Sequence, residues 1–511
     1  MKLQDKKDMP RGKGFFLSRG ATTALIILSV MVLNVVLSLV TESFGLYLYR
    51  AEYTEDYTVT GMTEEILSSA EGKTIDIIFC MTEEELENHT TGKFVLKTAK
   101  QYGEKYDFIN LTFVNTFTRL DQNNKRVDLE KYKTDMNGNE TGISRTSVVF
   151  ASGENYRVLT NVYNSTGFVD FFTFDSQGYI ASYNGETVLA SMISWVLSDE
   201  HRTAYITKNH GEMSDATFGT LLAAAGYSVK SINLQDEDVP EDASLVVISN
   251  PKNDFERAAA GSGVRTEIER LTSYVNRGGS LYVTLDPYVN RLPNLESFIK
   301  DFGISFAESE VGGVTLRNIV RDTRNAITTD GYTILADYAQ SELATAISSN
   351  VKKYSDGGII LREASALTLG EVKSGYTGSP TPLLVSTSAS VCEVGGEVVD
   401  NSGRYCIGAT STITGEDGNT ARIFVMPSIY ITASDALISN SYANRDFLYS
   451  LFEEFYGADS MPYGCNSVTY VSDDLKNLTM GEARAYTAVL LAIPVILAVT
   501  GTAVIIRRKN R

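Results

Sequence analysis

Few side chains in this sequence of 511 residues could act as a nucleophile. The four cysteines are Cys80, Cys392, Cys406 and Cys465, and none lies in the G-x-C-x-G turn that exposes a nucleophile after a strand. No two of them form the C-x-x-C pair of a zinc or thiol redox site. A Ser–His–acid triad also lacks its elbow motif. We therefore predict that the protein is not an enzyme.

The best remaining candidate for site chemistry is the segment His210-Gly211-Glu212. It follows a predicted strand, at the edge where open parallel sheets bind their ligands. The other two histidines, His89 and His201, are predicted at loop or domain edges. The imidazole and carboxylate of this segment are therefore the groups that could bind a polar ligand.

Two further polar residues, Asn250 and Asp286, end neighbouring predicted strands at the same edge. With His210 and Glu212 they could form a ligand or metal pocket, although one imidazole and two carboxylates are a poor zinc set. We predict neither a metal nor a cofactor. Alternatively, these side chains satisfy loop backbone groups and cap the following helices. An envelope hydrolase using His210, Glu212 and Asp286 is the enzymatic alternative.

The elements that would position these residues alternate between strand and helix. Strand Tyr205–Thr207 precedes His210, and the buried-type strands in residues 242–252 and 280–287 carry Asn250 and Asp286. Helical patterns separate them, and short loops join them. This alternation is typical of a doubly wound parallel sheet.

The flanking segments extend this organisation. Before residue 200, predicted strands and helices, ending with a helix at 186–199, form a first α/β domain of about 150 residues. Residues 310–410 contain Gly-, Ser- and Thr-rich segments and predicted antiparallel strands. Parallel character returns at 421–428, and a final helix begins at Asn444.

The pair Cys392 and Cys406 leaves two interpretations open. The sequence between them reads as a hairpin, so the two thiols could form a disulfide outside the cell. Alternatively, both are buried free thiols.

Charge excludes some classes of function. The net charge is −18, and the basic tails contribute about +4 each, so the region between them carries about −26. Such a surface repels nucleic acid and favours cationic or cell-envelope partners. The sequence contains no GxxxxGK[ST] motif, so the chain is not predicted to be an ATPase.

Two uncharged apolar runs, residues 20–41 and 485–506, are long enough to cross a bilayer as helices. Lysines and arginines precede the first run and follow the second, which predicts that both termini are cytoplasmic. A cleaved signal peptide is the alternative for the first run, but no small-x-small site follows it. We expect a multi-pass protein of a bacterial cell membrane, in contact with membrane lipid, with its main domain extracytoplasmic.

A series of motifs along the chain resembles the GldG-like family, auxiliary components of ABC transporters associated with gliding motility. In order, the motifs are YTVTGMTEEILSSAEGKTIDIIF, AYITKNHGE, LLAAAGYSVKSINL, VPEDASLVVISNPKND, IERLTSYVNRGGSLYVTLDP and SDALISNSYANRDFLYSLFEEF. Each motif alone is weak, but their order and spacing make the match more specific. The resemblance implies a second domain with a fold like class I glutamine amidotransferases, and a subunit that works beside a separate permease and ATPase.

Together, these patterns predict an α/β protein with two α/β domains, the second a doubly wound, glutamine-amidotransferase-like (flavodoxin-like) sheet, flanked by two transmembrane helices. The predicted divisions are a basic tail at 1–20, a span at 21–42, a first domain at 43–200, a second at 201–465 with a β-rich insertion at about 310–420, a connector at 466–484, a span at 485–506 and a tail at 507–511.

The predicted function is that of a non-enzymatic, membrane-anchored auxiliary subunit of an ABC-type transport system. Its partners would be the permease and ATPase subunits, and its folded region would bind a substrate or a cell-envelope polymer. The alternatives are the envelope hydrolase and a purely structural surface protein.

Overall fold

The computed structural model describes residues 61–68, 70, 72–134, 142–159, 171–174, 180–198, 201–213, 216–256, 265–439, 441–456, 461, 463, 468–469, 484 and 507. All of them belong to one compact unit, Thr54–Val471 with Asn477–Arg511. A second unit, Met1–Tyr53 with Ser472–Lys476, lies outside the described residues.

The described α-helices are numbered in chain order. They are α1 Gly61–Ser68, α2 Glu83–Glu87, α3 Gly92–Lys105, α4 Gly185–Leu197, α5 Ala216–Ala224, α6 Glu267–Asn276, α7 Pro293–Lys300, α8 Glu342–Val351, α9 Ser434–Ile438 and α10 Asn444–Tyr456.

The described strands are numbered in the same way. They are β1 Ile75–Phe79, β2 Ile109–Phe113, β3 Val148–Ser152, β4 Asn155–Leu159, β5 Phe172–Phe174, β6 Ile180–Tyr183, β7 Arg202–Thr207, β8 Tyr227–Ile232, β9 Ala243–Ser249, β10 Ser280–Thr284, β11 Ile304–Phe306, β12 Glu308–Val311, β13 Val314–Arg317, β14 Ile319–Asp322, β15 Thr333–Tyr338, β16 Ile359–Arg362, β17 Leu367–Leu369, β18 Tyr376–Val385, β19 Ser390–Val394, β20 Glu397–Asp400, β21 Cys406–Gly415, β22 Thr420–Met426 and β23 Val468–Thr469.

A small sheet of order β2-β1-β3-β4 forms the first part of the described chain. Strand β1 is parallel to β2 and antiparallel to β3. Its β-branched and aromatic residues suit a strand that is buried on both faces. Helices α3 and α4 pack their apolar residues on one face, and the opposite face is covered by Leu129 and Tyr132.

A large mixed sheet forms the remainder. Its order is β16-β15-β18-β21-β22-β10-β9-β7-β8, with β11 and β17 attached at the side. Strands β8, β7, β9, β10 and β22 are parallel, whereas β21, β18, β15 and β16 continue the sheet in antiparallel pairs. The fold is therefore α/β with both parallel and antiparallel strands.

The central parallel strands β9 and β10 are largely buried on both faces, as their hydrophobic runs predict, whereas β8 lies at the edge of the sheet and is partly exposed. Val247 and Tyr282 face one core, to which α5, α8 and α10 contribute. Val246 and Val283 face a second core, to which α6 and α7 contribute. Because successive side chains of a strand point to opposite faces, neighbouring residues supply the two cores alternately.

The segment predicted as a β-rich insertion, at about 310–420, contributes strands to the large sheet. Strands β18 and β21, which lie within it and have ten residues each, pair along most of their length and join β22 to β15. Short two- and three-stranded sheets, β12-β13 and β14-β19-β20, lie within the same segment. The predicted return to parallel pairing is confirmed, since β22 is parallel to β10.

The prediction of a multi-pass membrane protein is corrected by the structure. No helix within the described ranges is long and apolar enough to cross a bilayer. The most apolar long helix among them, α4, has 13 residues and is buried against the small sheet. The runs at 20–41 and 485–506 that were predicted to span a membrane lie outside the described residues.

The alternatives for Cys392 and Cys406 are decided in favour of free thiols. Cys392 lies in β19 and Cys406 begins β21, and the two strands belong to different sheets. Burial raises the pKa of the Cys392 thiol to about 12 and that of Cys406 to about 11. Cys80 is also a buried free thiol, whereas Cys465 lies outside the described residues.

Candidate functional site

The loop after β7 carries His210 into the protein interior. Asn209 and Gly211 both have left-handed backbone conformations, with φ of +83° and +73°. Asparagine and glycine adopt this region most readily, so the sequence Asn-His-Gly suits the turn. A Cβ atom on Gly211 would lie 3.2 Å from Cβ of Lys252, which shows how closely the next loop approaches.

The His210 ring lies between two carboxylates and is 1% exposed. Its Nδ1 is 3.3 Å from Oε1 of Glu212, and its Nε2 is 2.9 Å from Oε1 of Glu267. The second contact has the distance of an ion pair without the alignment of a hydrogen bond. The ring also stacks on Phe255, with centroids 4.0 Å apart and planes inclined by 7°.

This surrounding fixes the charge of the imidazole. Burial by itself lowers the pKa of His210, but the contacts with Glu212 and Glu267 outweigh burial and raise the pKa to about 9. Burial raises the pKa of Glu212, and its hydrogen bond with His210 reverses that effect, so the net change is downward. His210 is therefore an imidazolium near neutral pH and holds no free lone pair for proton abstraction.

The same cluster joins three segments of backbone. The His210 N–H donates to Oε2 of Glu212 at 2.8 Å, and the His210 carbonyl accepts from the N–H groups of Lys252 and Asn253 at 2.7 and 2.9 Å. Oε2 of Glu267 accepts from the N–H of Glu256 at 2.8 Å. The imidazolium therefore links the loop after β7, the loop after β9 and the start of α6.

Glu267 is the member of this cluster that the sequence prediction missed. It is the first residue of α6, whose start is fixed by a capping box between Thr266 and Glu269. A helix that follows β9 begins at the carboxyl edge of the sheet, where His210 also lies. The capping-box pattern Thr-x-x-Glu marks the start of this helix in the sequence. It is therefore the signal that could have indicated that the Glu267 carboxylate lies near His210.

Asn250 and Asp286 form a second cluster at the same edge. Asn250 Nδ2 donates to Oδ2 of Asp286 at 3.0 Å, and the Asp286 N–H donates to Oδ1 of Asn250 at 2.9 Å. Asn250 has a left-handed φ of +47°, which asparagine tolerates better than most residues. The pair joins the ends of β9 and β10.

Asp286 has further partners that fix its carboxylate. Its Oδ1 accepts from the N–H of Ile429 at 2.7 Å, just after β22. Burial raises the pKa of Asp286, and this hydrogen bond only partly opposes it. Arg317, also missed from the sequence, is buried and donates to the carbonyls of Asp286 and Val289 at 3.1 and 2.7 Å. Its charge is paired with Glu296 at 2.6 Å.

The structure thus brings His210 together with Glu212, and Asn250 together with Asp286. In the described part of the chain, no hydrogen bond joins the two pairs directly. Several of their polar atoms bond to one another and to backbone groups of the neighbouring loops. Ligand binding at this edge stays a prediction. Among the residues that the structure describes, no group of three or more histidine, cysteine, aspartate or glutamate side chains could hold a metal ion.

Comparison with known proteins gives no family assignment. No protein-family model matches the chain, and no curated protein matches it. Among solved structures, one of PurLQS from Thermotoga maritima is similar at 11% identity, covering 50% of this chain and 99% of that one, with a TM-score of 0.27. A likeness at this level supports no conclusion about function.

Replacing His210 tests the charge of the cluster. Below about pH 6.5 the imidazole is protonated in the folded and unfolded chain, so its stabilisation is fully present. As the pH rises through about 9, the folded protein loses this proton and the stabilisation. The free energy of unfolding of the wild type should therefore exceed that of His210→Gln by up to about 3 kcal/mol at pH 6 and by little at pH 10.

Chemical denaturation of both proteins between pH 6 and 10 measures this difference. His201→Gln is the matched control, because His201 is exposed and stacks on Trp195. A difference between wild type and His210→Gln that stays constant over this range would contradict the assigned charge.

Replacing Asn250 by aspartate tests the second cluster. In Asn250→Asp the amide that donates to Asp286 becomes a carboxylate 3.0 Å from another. Like charges at this distance cannot both be buried ionised, so we expect destabilisation of about 2 kcal/mol at pH 7 and a smaller loss at pH 5. Thermal unfolding at both pH values measures it. Asn253→Asp, at an exposed position of the same loop, should change stability little at either pH.

Proposed function

We propose that this chain is a non-enzymatic auxiliary subunit of an ABC-type transport system. In this role its α/β region binds a substrate or a cell-envelope partner, and the chain assembles with separate permease and ATPase subunits. The resemblance to the GldG-like family motivates the proposal.

The position of His210 between the carboxylates of Glu212 and Glu267 is the observation that carries the non-enzymatic part. A general base must present an unprotonated nitrogen near the operating pH. Burial lowers the pKa of His210, but the two carboxylates outweigh burial and raise the pKa to about 9. His210 is therefore poorly suited to act as a general base. The same contacts disfavour the hydrolase alternative, because both carboxylates already have partners. Glu212 contacts His210, and Asp286 accepts hydrogen bonds from Asn250 and Ile429.

The thiols support the same interpretation. A nucleophilic cysteine is a partly exposed thiolate with a lowered pKa. Burial instead raises the pKa of Cys80 and Cys392 to about 12 and that of Cys406 to about 11. Cys80 and Cys392 act as small apolar residues of the core, and the partly buried Cys406 packs against it.

We also propose a more specific fold. In it, a first α/β domain at 43–200 is followed in the sequence by a doubly wound, glutamine-amidotransferase-like second domain at 201–465. Its support is the strand order β8-β7-β9-β10, in which the first strand lies between the second and the third as in flavodoxin-like sheets. Helices on both faces agree with this arrangement.

Co-purification tests the proposed role. The full chain, tagged and isolated from its source cells in a mild detergent, should recover one permease and one ATPase in stoichiometric amounts. His210→Gln, captured below its melting temperature, should recover the same two subunits, because His210 is assigned to the fold and not to a reaction.

Two outcomes would contradict the proposal. One is the absence of both subunits at detergent concentrations that preserve a known ABC complex from the same cells, which is the result expected of a purely structural surface protein. The other is turnover of an envelope substrate by the purified chain that is lost in His210→Gln while the folded fraction is unchanged.

A further inference from the structure

A second candidate site lies on the small sheet, away from the residues that the sequence singled out. An open pocket of about 740 Å³ is located there, within the range of small-ligand sites. Strands β1 and β2 are parallel and β3 is antiparallel to β1, so the ends of β1 and β2 and the start of β3 meet at one edge. The pocket occupies this edge, where open parallel sheets commonly bind ligands.

The lining residues come from each of these segments. Met81 and Thr82 follow β1, Asn115 follows β2, and Arg145 precedes β3. The remaining lining residues belong to α2, to the turn after it and to the segment before β3, and they are Glu84, Glu85, Asn88, His89 and Thr146.

Several of these side chains are held in fixed orientations. Oε2 of Glu85 accepts from the N–H and hydroxyl of Thr82 at 3.0 and 2.8 Å, and its Oε1 accepts from Arg145 at 2.5 Å. Oδ1 of Asn115 accepts from the N–H groups of Phe117 and Thr118 at 3.0 and 3.1 Å. The Asn115 amide therefore presents its NH₂ group as a donor, while Arg145 is anchored through one arm of its guanidinium.

The pocket offers no uncompensated positive charge. Arg145 is paired with Glu85. Burial lowers the pKa of His89, and the nearby Arg145 lowers it further, so this imidazole is neutral at pH 7. Its Nδ1 accepts from the Gly92 N–H at 3.0 Å, which leaves the proton on Nε2. A phosphate or carboxylate ligand would lack a counter-charge here.

What remains is a mixture of donors and acceptors on planar groups. The Glu84 carboxylate is exposed and makes no hydrogen bond or ion pair within the described residues, while Asn88 uses its NH₂ group on the Glu84 carbonyl and presents its amide oxygen. Asn115 and Arg145 supply donors. The hydroxyl groups of a ligand both donate and accept hydrogen bonds. Two adjacent hydroxyl groups can form a bidentate pair of hydrogen bonds with an amide, carboxylate or guanidinium group.

An aromatic ring lies beside Arg145, next to the residues that line the pocket. Phe117 is 81% exposed, an unusual position for a large apolar side chain. The Arg145 guanidinium lies 5.8 Å from its ring centroid, and the Asn115 side chain fixes the turn that carries it. A flat apolar face next to planar polar groups is complementary to a sugar ring, which has an apolar C–H face and a hydroxyl edge.

We propose that this pocket binds a neutral saccharide, with Phe117 stacking on the sugar ring and Glu84, Asn88, Asn115 and Arg145 bonding its hydroxyl groups. The proposal deepens the proposed function by naming the class of envelope partner. Only the biological role of saccharide binding rests on the proposed function. Saccharide binding is a property of the isolated chain, whereas the transport role requires other subunits. Failure of one is therefore distinguishable from failure of the other.

Binding to defined glycans tests the proposal. The purified full chain is screened on an array of neutral and acidic oligosaccharides, and the strongest neutral glycan is titrated by calorimetry. Phe117→Ala should weaken this binding about tenfold, in line with the energy of aromatic stacking, without changing the melting temperature, because the side chain is exposed. Tyr288→Ala, which removes a ring that is 65% exposed elsewhere, is the matched control and should leave binding unchanged.

The test has clear contradicting outcomes. Absence of binding to every neutral glycan overturns the proposal, as does neutral-glycan binding that Phe117→Ala leaves intact or that Tyr288→Ala abolishes. Titrations with pentalysine and with inorganic phosphate are run in parallel. Binding of either probe, competing with or replacing the glycan in this pocket, would assign the site to charged ligands and contradict the neutral class.

Discussion

A buried positive charge holds the carboxyl edge of the large sheet together. Burying an unpaired charge costs several kcal/mol, so the His210 imidazolium requires the two carboxylates that flank it. Glu212 comes from its own loop, and Glu267 comes from the start of α6. Because each carboxylate also accepts a backbone N–H, the charge fixes the path of the chain after β7 and after β9.

Because of this buried charge, we infer that the polar residues at the carboxyl edge of the large sheet stabilise the fold and are not arranged for catalysis. Residues at the ends of parallel strands are where ligands usually bind, and polar residues there suggest chemistry. Here Asn250 and Asp286 bond to each other, and His210 lies between two glutamates. The small sheet presents a different arrangement at its equivalent edge, where an open pocket keeps Asn115 and Arg145 accessible to a ligand. The site that we propose for binding is therefore not the one with the most conspicuous motif.

Much of the fold was predictable, because buried strands and amphipathic helices leave strong patterns. The starts and ends of β7, β9 and β10 were predicted to within about three residues. The return of parallel pairing at β22 was also predicted. The joining of β18 and β21 to the same sheet was not predicted, since the Gly-, Ser- and Thr-rich sequence there has weak periodicity. Glu267 lies 57 positions from His210, and only the fold shows that the two side chains meet.

We infer that His210 is a structural cation and not a base. The most direct test of this inference is an NMR titration of the full chain labelled with ¹³C in its histidine rings. Three histidines give few signals, and His210→Gln and His201→Gln assign them. We predict a pKa for His210 of about 9, well above the ordinary value near 6.5. A pKa at or below about 6.5 would show a neutral imidazole at physiological pH and would contradict the claim.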